Sequence, residues 1–375
     1  MIAPTAGLAD AAAEDRRFME LALLLGRRGL GRTWPNPAVG AVIVKDGVIV
    51  GRGWTQPGGR PHAEVEALRR AGEAARGATM YVTLEPCSHF GKSPPCADAI
   101  IASGLARVVS ALEDPNPKVA GKGHARLRAA GIAVDVGIGA DEARHDHAGH
   151  IMRVTEGRPL VTLKLAISSD GKVGGPGRTP VAITGAEARD RVHLLRAQND
   201  AIMIGIGTVL ADDPMLTCRL PGMEPNSPVR VVLDSSLRLS AGSKLVRTAQ
   251  DVPVWIIAST KALKGTKDAL IDKGVTVIRA PDQDGRIDLV AALKLLAEGG
   301  ITRLLLEGGP TLAASFMIVD LVDEAILFRS AKAVGADGID ALAGLPLDTI
   351  TQSPRFKHIA SESVGTDTCD IFERR

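Results

Sequence analysis

Two runs of alternating β-rich and helical segments, separated by the break Gly157-Arg158-Pro159, leave this chain few architectures. Glycine frees the backbone and proline removes a donor, so neither a helix nor a ladder passes easily through that tripeptide. Strands alternating with helices on either side imply sheets layered with helices. At 375 residues the chain can bury two separate cores, and the expected domains are 1–152 and 158–375.

In the first run, Asp15 to Arg28 places Phe18, Met19, Ala22 and Leu25 on one helical face, with Gly29 and Gly31 beyond it. Ala38 to Val44 and Val48 to Val50 form a hairpin through Asp46-Gly47, a pair suited to a tight turn. Helices are expected from His62 to Ala71, Ala97 to Ala102 and Ala125 to Ala130, with strands at Thr79 to Leu84, Arg107 to Leu112 and Ile132 to Val136. Asp141 to Glu156 is polar and helical, and its His145, His147 and His150 are expected on a solvated face. In the second run, strands are expected at 160–167, 201–206, 229–233, 254–258 and 303–306, with helices at 186–196, 289–297 and 310–319.

Composition excludes several classes of function. Lys and Arg total 45 against 43 for Asp and Glu, so no overall field draws in nucleic acid. Aromatic residues make up 3%, too few for the stacking platforms of a single-strand binder. No apolar run approaches the roughly 20 residues of a membrane span, and the N-terminus lacks a basic-then-apolar pattern, so a cytoplasmic protein is expected. Four cysteines are too few for a disulfide framework and read as thiols or metal ligands.

Two of those cysteines carry the chemistry. His62-Ala63-Glu64 opens a helix, Pro86-Cys87 follows a strand, and Cys96 starts the next helix. One imidazole and two thiolates fill three of four positions around Zn²⁺ and leave the fourth for water, whose pKa the metal lowers to about 7. Glu64, two residues from the histidine, is placed to carry the proton without binding the metal. His89 is the competing ligand, but the thiolates are softer and sit at element ends. His89 and Lys92 are instead candidate substrate contacts, against plain exposure to solvent. Eight residues separate Cys87 from Cys96, where common deaminase patterns leave two, so the intervening loop is expected to shape the pocket.

These residues and those of the second half resemble the bifunctional deaminase/reductase family of riboflavin biosynthesis. The resemblance rests on Pro35-Asn36-Pro37, His62-Ala63-Glu64-Val65, Thr83-Leu84-Glu85-Pro86-Cys87-Ser88-His89, Pro94-Pro95-Cys96 and Asp114-Pro115-Asn116-Pro117. It continues through Thr162-Leu163-Lys164, Asp170-Gly171-Lys172, Leu195-Arg196-Ala197-Gln198, Ala211-Asp212-Asp213-Pro214, Leu216-Thr217-Cys218-Arg219 and Glu307-Gly308-Gly309. It implies a cytidine-deaminase-like α/β/α domain followed by a dihydrofolate-reductase-like α/β domain. It also implies zinc-dependent hydrolytic deamination of a diaminopyrimidinone ribosylamine phosphate, then NADPH reduction of its ribose to a ribityl chain. Asn36 would orient the pyrimidine. Ala166, Ala182, Thr184, Thr208, Asp212 and Ser235 would line the NADPH site, and Leu216, Arg196 and Arg219 the substrate site, with both arginines toward the sugar phosphate. A homo-oligomer is implied as well. Two positions depart from the family: Thr55 stands where many relatives carry histidine, and Ala182 where many carry tryptophan.

Physical chemistry bears on the reductase half independently. Leu304 to Leu306 runs into Glu307-Gly308-Gly309-Pro310-Thr311, a strand-to-helix turn whose helix N-terminus, at Gly309, Pro310 and Thr311, can meet cofactor phosphates. Lys164 lies inside an apolar strand, so its ammonium must meet an anion or line a cavity. Glu307 is expected to hold the ribose or the pyrimidine edge, and Asp212 is the better acid. Gly205-Ile206-Gly207 lacks the third glycine of a dinucleotide fingerprint. The competing function is a zinc deaminase of nucleic-acid bases with a non-catalytic C-terminal assembly domain, which the few aromatics disfavour.

Overall fold

The computed structural model describes residues 5–375 apart from Lys92, Pro180 and Leu263. The chain divides into two compact units, Met1–Gly157 and Arg158–Arg375. Among the described residues no helix is long and apolar enough to cross a membrane.

The first unit runs α1 (Thr5–Arg27), β1 (Gly40–Lys45), β2 (Val48–Trp54), α2 (Ala63–Ala71), β3 (Thr79–Val82), α3 (Cys96–Ser103), β4 (Arg107–Ser110), α4 (Lys122–Ala129), β5 (Ala133–Val136), α5 (Ala140–Asp146) and α6 (Ala148–Thr155). Its five-stranded sheet has the order β2-β1-β3-β4-β5. β1 pairs antiparallel with β2 and β3, while β3, β4 and β5 are parallel. Asp46 and Gly47 both take positive φ, 51° and 75°, and make the expected hairpin turn. Helix α2 lies so close to β2 that a Cβ on Gly53 would sit 2.4 Å from the Ala63 carbonyl oxygen. Only glycine permits that approach, and it fixes the first turn of α2, which carries His62 and Glu64.

The expectation of a solvated face for His145, His147 and His150 fails at two of the three. His147 and His150 are 2% and 7% exposed, whereas His145 is exposed. Ala143, His147 and His150 follow the i, i+4, i+7 spacing of a buried helical stripe, and Ala143 is itself fully buried. His147 Nε2 lies 3.0 Å from Thr83 Oγ1 and His150 Nε2 3.1 Å from Asp114 Oδ1, so each ring is buried with a polar partner.

The second unit begins with β6 (Leu160–Ile167), β7 (Lys172–Gly174), α7 (Ala186–Gln198), β8 (Ala201–Gly205), α8 (Ile206–Asp212), β9 (Val229–Leu233), α9 (Lys244–Arg247) and β10 (Val254–Ser259). It continues with α10 (Lys264–Ile271), β11 (Val275–Ala280), β12 (Asp282–Gln283), β13 (Arg286–Ile287), α11 (Leu289–Glu298), β14 (Arg303–Leu306), α12 (Pro310–Ile318) and β15 (Glu324–Arg329). β16 (Ile339–Asp340), α13 (Asp348–Thr351), β17 (Phe356–Val364) and β18 (Asp367–Arg374) complete it. Nine strands form one sheet in the order β11-β10-β9-β8-β14-β6-β15-β18-β17. From β11 to β15 the pairs are parallel, so the carboxyl ends of β10, β9, β8, β14 and β6 share one edge. Ligands of open α/β sheets bind at that edge.

Candidate active sites

In the first unit three elements deliver three soft or borderline donors to one point. His62 caps α2, Cys96 is the first residue of α3, and Cys87 lies on the loop after β3. His62 Nδ1 is 3.2 Å from Cys96 Sγ and 3.7 Å from Cys87 Sγ, and all three donor atoms lie within 4.8 Å of one another. With zinc–sulfur bonds near 2.3 Å and zinc–nitrogen bonds near 2.0 Å, a tetrahedral site needs N···S separations of about 3.5 Å. The donor set therefore fits Zn²⁺ in both chemistry and spacing. The Cys96 backbone N–H donates to Cys87 Sγ at 3.3 Å, a contact that favours thiolate.

Glu64, one turn into the same site, is 3% exposed. Burial pushes its carboxyl above the usual range, and the neighbouring His62 draws it partly back. Asn36 lies against the other side of the ligand ring: its Nδ2 donates to the Gly59 carbonyl at 2.7 Å and sits 3.4 Å from His62 Nε2. The loop carrying Cys87 is anchored by Glu85, whose buried carboxylate accepts backbone N–H bonds from Asp114, Gly121, Gly123 and His124 at 2.8–3.2 Å. Gly123 is tight against this loop, since a Cβ there would fall 2.0 Å from the Pro86 carbonyl oxygen.

The second unit gathers its charges at the carboxyl edge of the sheet. Arg196 on α7 makes a fork to Glu307, with Nε and Nη2 donating to the two carboxylate oxygens at 2.8 and 2.9 Å, and its Nη1 donates to the Thr217 carbonyl at 3.2 Å. Lys164 Nζ on β6 stands 3.8 Å from the same carboxylate. Burial raises the Glu307 carboxyl, but Lys164 and Arg196 outweigh it and hold the group below the usual range. Burial and then the charge of Arg196 lower the Arg219 guanidinium, which places the two cations near each other. Arg219 N donates to His193 Nδ1 at 3.3 Å, so that nitrogen carries no proton. Burial, Arg196 and Arg219 all lower the His193 ring, consistent with a neutral imidazole.

Along the same edge, α8 and α12 begin directly after the adjacent strands β8 and β14. Thr208 Oγ1 lies 3.1 Å from where a Cβ on Gly309 would stand, so the two helix starts meet there. Ser235 follows β9, and its carbonyl accepts from Ser259 N at the end of β10. Lys164 and Ala166, two residues apart on β6, share one half-buried face.

Comparison with known proteins decides the family. The model described as RibD C-terminal domain matches residues 159–369. The chain is 42% identical to the riboflavin biosynthesis protein RibD of Escherichia coli K12, over 95% of this chain and 98% of that one. The chain belongs to the RibD family. The model described as the zinc-binding region of cytidine and deoxycytidylate deaminases matches residues 12–112. The RibD of Aquifex aeolicus is also 42% identical, covering 96% of this chain and 98% of its own. Among solved structures, Acinetobacter baumannii RibD superposes with a TM-score of 0.86 at 36% identity, covering 97% of this chain and 99% of that one. The deaminase/reductase of Thermotoga maritima gives 0.84 at 35%, over 97% and 100%. As a RibD-family member the chain is a bifunctional deaminase and reductase of riboflavin biosynthesis, with a zinc-binding deaminase domain and an NADPH-dependent reductase domain. A deaminase of nucleic-acid bases with an inert second domain is not favoured.

Several expected site residues of this RibD-family chain have contacts the sequence did not suggest. Lys164 meets an anion, but the anion is Glu307, and both Glu307 oxygens already accept from Arg196. Glu307 is thus first a holder of two cations, with a second lone pair on each oxygen remaining for substrate. Asp212, the last residue of α8, is exposed, as are Ala182, Thr311, His89 and Arg219. Pro310 and Thr184 are half-buried, and Leu216 is buried with φ 57°. Thr55 is buried and its hydroxyl accepts from Val39 N at 3.1 Å, which ties it to backbone. Lys92 lies outside the described residues. His193 was missed, although it lies one turn before Arg196 on the same helix and so shares its face.

Proposed function

We propose that the first unit deaminates a diaminopyrimidinone ribosylamine phosphate and that the second reduces the product's ribosyl group to a ribityl chain. The observation that carries this is the convergence of His62, Cys87 and Cys96, with Glu64 buried beside them. His62, Cys87 and Cys96 would hold the zinc, which supplies a water acidic enough to attack the ring near neutral pH. Glu64 takes that water's proton on its carboxylate and hands it to the departing amine, which leaves as ammonia. Its burial keeps the carried proton away from bulk solvent until it is delivered. Asn36, fixed by Gly59, orients the pyrimidine over the site.

In the second unit bound NADPH would supply the hydride. Gly309, Pro310, Thr311 and Thr208 would face its phosphates at the two helix starts, and Ser235, Ala166, Ala182 and Thr184 would line the rest of its site. Arg196 and Arg219 grip the substrate phosphate, the backbone at Leu216 borders the substrate while its side chain stays in the core, Lys164 and Glu307 face the sugar, and Asp212 supplies the proton. Arg suits the phosphate through its planar, charge-assisted donors. Four cysteines, too few for a disulfide framework, support a cytoplasmic setting, and we read the enzyme as a homo-oligomer. Chelator-stripped protein should lose ammonia release, regain it with added zinc, and keep NADPH oxidation on deaminated substrate throughout. Ammonia release without zinc would overturn the assignment.

A further inference from the structure

Among the described residues Arg230 is the largest fully buried side chain, at 0% exposure, the second residue of β9 and paired with Ile202 of β8 and Val254 of β10. An arginine in a central strand is costly unless its donors are satisfied. Among the described residues no carboxylate pairs with it. Its Nη1 donates to the Thr248 hydroxyl at 2.8 Å and to the Met215 carbonyl at 3.3 Å, and its Nη2 donates to the Thr248 carbonyl at 2.9 Å and to the Val252 carbonyl. Nε has no partner. An apolar residue of the same length would fill this place without the cost of desolvation, so the contacts it makes need a reason beyond packing.

The segment it holds is the one that shapes the substrate end of the reductase site. Met215 precedes Leu216, whose φ of 57° is in the left-handed region that a branched side chain rarely adopts. Such a conformation persists only where surrounding contacts over-determine it. Next comes Thr217, whose carbonyl accepts from Arg196, and then Arg219, whose N–H reaches His193. The segment is tied at its other end by Asp213 Oδ1, which accepts from Lys244 N at the start of α9. Arg230 therefore joins the connection after α9, at Thr248 and Val252, to the carbonyl immediately before the left-handed Leu216.

We propose that Arg230 is a positioning residue for the reductase: from inside the sheet it clamps the Met215 carbonyl and so sets Leu216, Thr217 and Arg219 around the substrate. The proposal rests on the reading that this cluster binds the phosphorylated substrate. A purely structural arginine would lower stability and all kinetic constants together, whereas a clamp on one substrate loop acts on one KM.

The test uses the full-length zinc-loaded protein with Arg230→Met, which keeps the stem and removes the donors, and Arg230→Lys, which keeps a charge and a point donor. Arg230→Met should raise the KM for deaminated pyrimidine substrate by about tenfold, leave kcat within about threefold, and leave the NADPH KM and ammonia release unchanged. Arg230→Lys should fall between it and the unmodified protein, and amide exchange should quicken across 214–219 in both. If Arg230→Met does not fold, the Lys variant decides alone: a raised pyrimidine KM with an unchanged NADPH KM supports the clamp, and unchanged values overturn it. Parallel losses in kcat and both KM values overturn it too. Arg219→Ala separates the two ideas. If it raises the pyrimidine KM and the Arg230 variants do not, only the clamp falls; if the Arg230 variants raise that KM and Arg219→Ala does not, the phosphate reading falls and the clamp stands.

Discussion

Replacing Glu85 by Gln changes one heavy atom and tests how the Cys87 loop is held. One Glu85 oxygen accepts from Asp114 N and Gly121 N, the other from Gly123 N and His124 N, all inside a side chain with no exposure. Glutamine keeps one acceptor oxygen, but its amide nitrogen must point its own hydrogens at two backbone N–H groups. Two buried donors then lose their acceptor, at about 1–3 kcal/mol each, so the variant should lose roughly 2–6 kcal/mol. No rotation of the amide avoids this, because both oxygens are used twice. The assay is urea unfolding of the intact protein in the presence of zinc, followed by release of the metal to a chromogenic chelator. With a slope of about 1–3 kcal/mol per molar urea, the release midpoint should fall by about 1 M or more. Unfolding of the second unit, read from loss of NADPH oxidation, should not shift. A Gln variant that releases zinc at the midpoint of the unmodified protein would refute the claim that this carboxylate organises the Cys87 loop.

Glu64→Ala should keep about one zinc per chain and full reduction of deaminated substrate while losing most ammonia release, measured by metal analysis and separate half-reaction assays. Side-by-side kinetics should favour NADPH over NADH by about tenfold or more, equivalent to about 1.4 kcal/mol, and equal efficiencies would show that the 2′-phosphate is not read. A fragment ending at Glu156 should fold and bind zinc, seen by circular dichroism and metal analysis, because the first unit has its own core from Phe18 to Ala143. Arg219→Ala should raise the reductase KM by the loss of a charge-assisted contact worth about 1.5–3 kcal/mol, with deaminase kinetics unmoved.

The parts of the fold written most plainly in the sequence were those where local chemistry and burial agree. Asp46-Gly47 dictated its own turn, and the apolar runs 160–167, 229–233 and 303–306 coincide with β6, β9 and β14. The cluster of His62, Cys87 and Cys96, which could hold a metal ion, was legible because each sits at an element boundary that glycine, proline or a strand end also marks. Strands β17 and β18 were not legible. Of the nine residues in β17 only Phe356 is buried, so no alternation of apolar and polar side chains announces it. Arg230 was invisible for the opposite reason, since a lone cation in a valine-rich strand suggests an edge or a cavity, and its partners are carbonyls that no side chain reveals. The Arg196–Glu307 fork spans 111 positions, and only the packing of β14 beside β6 and β8 brings those charges together.

That fork also bears on why the proposed phosphate site would contain a carboxylate at all. Lys164, Arg196 and Arg219 would repel one another if held close with nothing between them, and the cost of gathering them would fall on substrate binding. Glu307 takes two of Arg196's donors and lies near Lys164, so these two cations are assembled before any ligand arrives. Three positive charges against one negative still leave a surplus, which suits a phosphate carrying about −1.5 to −2 near neutral pH. His193 adds no further charge, because its Nδ1 is an acceptor. On the proposed reading Glu307 would belong to the phosphate site as much as Arg196 does: it lowers the cost of gathering the cations while leaving a net positive field for the anion.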